Sequence, residues 1–125
     1  MTDSLTVMLV DDDPNVQSLF QMVLDHHGMN LVATGDQPTA LEYLADHTPD
    51  IIVIDIFLPT SDGYKMRQAL RRLPHLQHCP VVATTAYYTT DTVSDIEHSG
   101  FDGYLLKPLD PQQLVGYLKQ VLNLA

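Results

Sequence analysis

Residues 5–15 read LTVMLVDDDPN. The stretch from Leu5 to Val10 is almost wholly apolar and short, the pattern of a strand buried on both faces of a sheet. Three adjacent carboxylates follow it. Asp13-Pro14 has the form of a helix N-cap followed by proline at the first helical position. Val16, Leu19, Phe20, Val23 and Leu24 then keep the i, i+3, i+4 spacing of an amphipathic helix, and Gly28 stops it. A buried strand that feeds a covering helix is the first half of a parallel βαβ unit.

The same alternation continues outward. Leu31 to Ala33 reads as a brief second strand, and Pro38 opens a helix with Ala40, Leu41, Leu44 and Ala45 inward. TPDIIVID (48–55) is a turn into a third buried strand, Ile51 to Asp55. A third helix is expected near Ser61 to Leu73, with Met66, Ala69, Leu70 and Leu73 on one face. CPVVATT (79–85) gives a fourth strand ending near Thr84 or Thr85. A weaker helix covers about Asp91 to Ser99, anchored by Val93 and Ile96. Tyr104 to Leu106 is the fifth strand, and Asp110-Pro111 starts a last helix with Leu114, Val115, Leu118, Val121 and Leu122 inward. Strict alternation with right-handed crossovers predicts an α/β fold, a doubly wound five-stranded parallel sheet with five helices on its two faces. No repeat, linker or low-complexity tract interrupts it, and one domain over residues 1–125 is expected.

Composition narrows the function. The net charge is −10, from sixteen acids and six bases, which disfavours nucleic acid or an anionic membrane as a direct ligand. A metal cation or a protein with a basic face suits it better. Apart from Glu42 and Glu97 the acids are aspartates, which suit caps, turns and hard-cation sites. No apolar run approaches the ~20 residues that span a bilayer, the start MTDSLTVM lacks a basic signal-peptide region, and Cys79 is the single cysteine. A cytoplasmic protein is expected.

Sites in open parallel sheets lie beyond the carboxyl ends of the strands. Here the first strand is followed by Asp11, Asp12 and Asp13, the third ends in Asp55, the fourth ends in Thr84-Thr85-Ala86, and the fifth is followed by Lys107-Pro108. Carboxylates clustered there would repel one another, and a Mg²⁺ ion with its preference for hard oxygens would relieve the repulsion. A hydroxyl, an ammonium and a metal together suit the three oxygens of a phosphoryl group, and one carboxylate could be the nucleophile.

With these residues in order, LVDDDP (9–14), VIDIFLPTSDG (53–63), TTA (84–86) and YLLKP (104–108) resemble the receiver domain of two-component response regulators over the whole chain. The resemblance implies the flavodoxin-like strand order 2-1-3-4-5. It implies that Asp55 is the phosphoacceptor, with Leu58-Pro59 and Gly63 at the expected distances behind it. Asp11 and Asp12 match the acidic pair that holds Mg²⁺, Asp12 being the direct ligand, and the third protein ligand would be the backbone carbonyl of Phe57. Thr85 matches the hydroxyl residue that moves to the phosphoryl group, Lys107 the lysine that pairs with its oxygens, and Tyr104 the aromatic switch residue. In the family the bond before the proline equivalent to Pro108 is often cis. Phe57 and Tyr87 occupy the two positions that tune phosphoryl lifetime, and their bulk implies slow self-dephosphorylation. The implied partners are a sensor histidine kinase or phosphotransfer protein as donor and a downstream protein target or output domain, and the implied class is a switch rather than a metabolic enzyme.

Plainer readings apply elsewhere. Asp13 and Asp62 suit helix caps, and Asp36, Asp50 and Asp102 suit turns. Lys65, Arg67, Arg71 and Arg72 suit a solvated face. His75, His78 and Cys79 lack a fourth zinc ligand, and His26-His27 suits the end of a helix. An aspartate-nucleophile phosphohydrolase would want an acid where Phe57 stands, and a flavodoxin-type flavin site would be repelled by Asp11 to Asp13. The complete acidic set with Lys107 argues against a receiver that is never phosphorylated. The last helix lacks the basic residues associated with receivers that dimerise to bind DNA.

Overall fold

The computed structural model describes residues 4–58 and 61–123. Its sheet strands are β1 (Thr6–Val10), β2 (Asn30–Thr34), β3 (Ile51–Asp55), β4 (Val81–Thr85) and β5 (Gly103–Leu106). The helices are α1 (Pro14–His26), α2 (Gln37–Leu44), α3 (Gly63–Arg71), α4 (Thr90–His98) and α5 (Pro111–Val121). All five strands are parallel, in the order 2-1-3-4-5, the flavodoxin-like order implied above. A short antiparallel ladder, Phe57–Leu58 with Ser61–Asp62, and a single 3₁₀ turn at Pro74–Leu76 fill the connections around α3.

Strand side chains alternate between the two helical layers. Val7, Leu9, Ile51, Val53 and Val82 pack with Phe20 and Leu24 of α1 and Leu114 and Leu118 of α5. Met8, Val10, Ile52, Ile54 and Ala83 pack with Ala40 and Leu44 of α2, Met66 and Leu70 of α3, and Ile96 of α4. Residues 7–10 and 51–54 are fully buried, which is why both strands read as continuous apolar runs. β5, at the edge, is only half-buried along its length.

Helix starts follow the aspartates. Asp13, Asp62 and Asp110 each accept a hydrogen bond from the backbone N–H two residues on, and Asp36, expected in a turn, caps α2 through the N–H of Thr39. α3 starts two residues later than expected, because Ser61 and Asp62 belong to the short ladder. Leu73 lies beyond it, at the residue that precedes the 3₁₀ turn. α4 runs Thr90–His98, entered through a capping box between Thr89 and Thr92, and Ile96 is its one fully buried anchor.

The four bases of α3 do not form one solvated face, contrary to expectation. Arg71 turns inward and donates to the carbonyls of Leu76 and Cys79, each at 2.8 Å, and to Asp102 at 3.1 Å. Asp102 also accepts from the N–H of Val81 at 2.8 Å, so this pair ties α3 to the starts of β4 and β5. Arg67 lies against Gly100, whose φ of +85° makes it the left-handed residue after α4. Lys65 and Arg72 are exposed.

Gly63, the first residue of α3, lies against Ile56, the residue that follows β3. A Cβ there would lie 2.7 Å from Cα of Ile56, against backbone that cannot yield. Gly63→Ala is therefore expected to lower stability by about 1–3 kcal/mol, the usual range for overpacking, as a fall in the urea midpoint with unchanged slope.

Candidate functional site: an acidic pocket at the strand ends

The register assembles the site. Val10 is paired with Ile54, Asp55 with Thr84, and Thr84 with Leu105. One step past Val10 brings Asp11 level with Asp55. Two steps past Leu105, on the same face, lies Lys107. Its Nζ donates to Oδ2 of Asp11 at 2.8 Å and to Oδ2 of Asp55 at 3.0 Å. The Lys107–Pro108 peptide is cis.

The remaining carboxylate oxygens are used locally. Oδ1 of Asp55 accepts from the N–H of Phe57 at 2.9 Å, and Oδ1 of Asp11 accepts from the N–H of Asp13 at 2.9 Å. Asp11 is fully buried, Asp55 is 8% exposed and Asp12 is exposed. Each of the three offers a carboxylate oxygen within 4.8 Å of the others, the one such group of metal-ligating side chains among the described residues. Hard oxygens, two of them on buried residues at or just past strand ends, fit a divalent cation of the Mg²⁺ type.

Burial pushes the Asp11 carboxyl above its ordinary value of 3.8. The Lys107 ammonium and the Asp13 N–H oppose this without reversing it, and the charge of Asp55 adds to it. Burial alone would lower Lys107, but its bonds to Asp11 and Asp55 outweigh burial and raise it, so it stays an ammonium. One cation thus faces three acids, and the pocket has an excess of negative charge to offer a metal.

The two threonines separate. The fully buried Thr85 donates its hydroxyl to the carbonyl of Tyr87 and accepts from the N–H of Tyr87, both at 3.0 Å. Thr84 is also fully buried, on the opposite face, and its hydroxyl has no partner among the described residues. Phe57 and Tyr87, 48% and 76% exposed, meet edge to face with ring centroids 6.5 Å apart. With Asp12, Asp13, Asp55, Ala86 and Lys107 they line a cavity of about 280 Å³. A larger cleft of about 660 Å³ lies between α1 and the start of α5, but it lacks the convergent acids. Tyr104, half-buried, packs against the α2–α4 layer, and its N–H donates to the hydroxyl of Tyr117. Pro59 lies outside the described residues.

A model of the response regulator receiver domain matches residues 7–119. The chain belongs to that family. Response regulator Rre1 of Synechocystis sp. is 34% identical over 98% of this receiver, which spans 53% of Rre1. The polar-differentiation response regulator DivK of Brucella anthropi is 29% identical over 94% of the receiver and 96% of its own length. The structure of the receiver domain of sensor histidine kinase PA1611 from Pseudomonas aeruginosa, described with magnesium coordinated in its active-site cleft, superposes with a TM-score of 0.86. It covers 97% of this chain and 99% of its own at 24% identity, a likeness of fold.

One residue at the site had no signal in the sequence reading. Gln17, on α1, donates its side-chain amide to the backbone carbonyl of Asp11 at 2.7 Å. The His75–Cys79 stretch serves structure. His75 Nε2 meets the carbonyl of Leu44 at 2.7 Å, and the Cys79 thiol donates to the carbonyl of Pro49 at 3.3 Å.

Burial pushes the Cys79 thiol from 9.0 up to about 11. At pH 9 it would be roughly 1% thiolate, against about half for a free thiol of the ordinary value. Native protein at pH 9 should therefore be alkylated by iodoacetamide at least ~50-fold more slowly than urea-unfolded protein. Equal rates, followed by mass spectrometry, would contradict the buried placement.

Proposed function

We propose that this receiver, read as one domain over residues 1–125, accepts a phosphoryl group on Asp55 from the phosphohistidine of a sensor histidine kinase or phosphotransfer protein. It would act in the cytoplasm and signal to a downstream protein target or output domain. The carrying observation is the Lys107 ammonium bridging Asp11 and Asp55 beside a third carboxylate, Asp12. The relatives Rre1 and DivK, both named response regulators, support the setting.

Asp11, Asp12, Asp55 and the backbone carbonyl of Phe57 would hold Mg²⁺, as the magnesium of the PA1611 receiver suggests by analogy. When bound, the ion supplies positive charge against the transferring phosphoryl oxygens. An Asp55 oxygen forms the new O–P bond as the N–P bond to the donor imidazole breaks, and the electron pair of that bond returns to the imidazole nitrogen. Lys107, already beside Asp55, steadies the charge on the phosphoryl oxygens. Thr85 would exchange its bonds to Tyr87 for one to a phosphoryl oxygen. Tyr104 would then turn inward and alter the face formed by α4, β5 and α5, a population shift between two states. A phosphohydrolase on this sheet is disfavoured by Phe57, where a general acid would be wanted.

Saturating Mg²⁺ should stabilise the wild type, by about 2.7 kcal/mol at one hundred times its dissociation constant. Beryllofluoride or acetyl phosphate with Mg²⁺ should then shift the amide spectrum or add a phosphoryl mass. No response in wild type, or the same response in Asp55→Ala, refutes the reading. Phe57 and Tyr87 crowd the approach of water to the phosphoryl group, so its lifetime should be long. Phe57→Asn and Tyr87→Glu are each expected to speed decay of the phosphorylated protein, measured by loss of radiolabel, and no acceleration in either sinks this part.

A further inference from the structure

Asp11 has its polar groups tied in four directions. Its N–H continues the ladder to the carbonyl of Thr34 at 2.9 Å, and its two carboxylate oxygens are held by the N–H of Asp13 and by Lys107. Its carbonyl lies beyond Val10, the last residue of β1, and is held by the Gln17 amide at 2.7 Å. The neighbouring Asp12 differs: its carboxylate accepts no hydrogen bond among the described residues. Its direction is set by the backbone alone, while the charges of Asp11 and Asp55 push it away.

We infer that Gln17 is a positioning residue for the metal site, holding the Asp11–Asp12 peptide so that Asp12 stays in ligand range of Asp11 and Asp55. The step rests on the metal reading above. The Asp11 carbonyl oxygen and the N and Cα of Asp12 share one rigid peptide plane. Pinning the oxygen fixes where the Asp12 side chain begins. Released, the plane can rotate and let Asp12 swing away from the other two charges, which is the direction repulsion favours. A neutral amide suits the task. It donates to the carbonyl, adds no charge that would compete with the ion, and reaches from the second turn of α1, itself set by the Asp13 cap. The half-buried Gln17 side chain thus couples the start of α1 to the geometry of the acidic pair.

The test compares wild type with Gln17→Met, which keeps length and helix propensity but has no donor, and with Val16→Ala, which trims packing on the same helix. Mg²⁺ affinity is read by calorimetry and stability by urea unfolding without metal. The expected result is about a tenfold weaker Mg²⁺ affinity for Gln17→Met, the lower end of the effect of partners that orient metal ligands, with Val16→Ala within twofold of wild type although less stable. In metal-free wild type, the two protons of the Gln17 side-chain amide should be widely separated in the NMR spectrum, one of them protected. Wild type that binds while Gln17→Met binds within twofold of it overturns the inference alone, as does an unprotected Gln17 amide. Wild type that does not respond to Mg²⁺ overturns the metal reading and this inference with it.

Discussion

Lys107 sets one ammonium between two carboxylates at the sheltered ends of three strands. Its side chain is 13% exposed, against 0% for Asp11 and 11% for Asp55. Little water is left to screen the group, so each charge needs the others. Without the ammonium, two acids would face one another in the sheet with Asp12 beside them. With it, the cluster is bearable but still short of positive charge. That shortfall is what the proposed function would use: a divalent cation would have a reason to bind, and a transferred phosphoryl group would find an ammonium already in place.

Such a cluster must be held against its own repulsion. The penalty for burying each ion, before its partner offsets it, is several kcal/mol even after relaxation of the surroundings. The four fully buried side chains of β3, Ile51 to Ile54, each contribute about 1.5–3 kcal/mol by leaving water. One strand therefore supplies a stabilisation of roughly 6–12 kcal/mol, the same order as the cost of the charges at its end. This explains why the fully buried runs 7–10 and 51–54 below the site contain no polar residue. The site also sits past the ends of the ladders, where the backbone is free to be recruited. The N–H groups of Asp13 and Phe57 each turn back to a carboxylate two residues earlier.

Much of this was legible because strands and caps leave local marks. The run LTVMLV followed by acids, the Asp-Pro starts and the strand-end lysine are all contiguous in sequence, and the parallel sheet brings strand ends together without further information. What was not legible depends on distant elements. Arg71 looked like one of four bases on a solvated helix, yet its partners are carbonyls past the helix end and Asp102 on the far side of β4. Gln17 lies outside the apolar set that marks α1, and only the exact lie of the chain after Asp13 brings its amide to Asp11. The start of α3 was misplaced because the short ladder takes up Ser61 and Asp62, a pairing too brief to leave a periodic signal.

The resting bonds of Thr85 bear on how sharply the proposed switch could respond. Its hydroxyl already makes two hydrogen bonds with the backbone of Tyr87, each contributing about 0.5–1.5 kcal/mol net. A bond to a charged phosphoryl oxygen contributes about 1.5–3 kcal/mol. Exchanging two neutral bonds for one charged bond is close to balanced, unless the freed backbone of Tyr87 finds water, as a loop with an exposed side chain readily does. The rings of Tyr87 and Phe57 add a weak contact that favours the resting arrangement. A near balance of this kind would give a two-state equilibrium in which phosphorylation changed populations by a modest factor, and a partner that prefers one state would complete the shift. Under that proposal the residue that would crowd the phosphoryl group also holds the Thr85 hydroxyl in its resting bonds, so lifetime and switching threshold would share one short loop after β4.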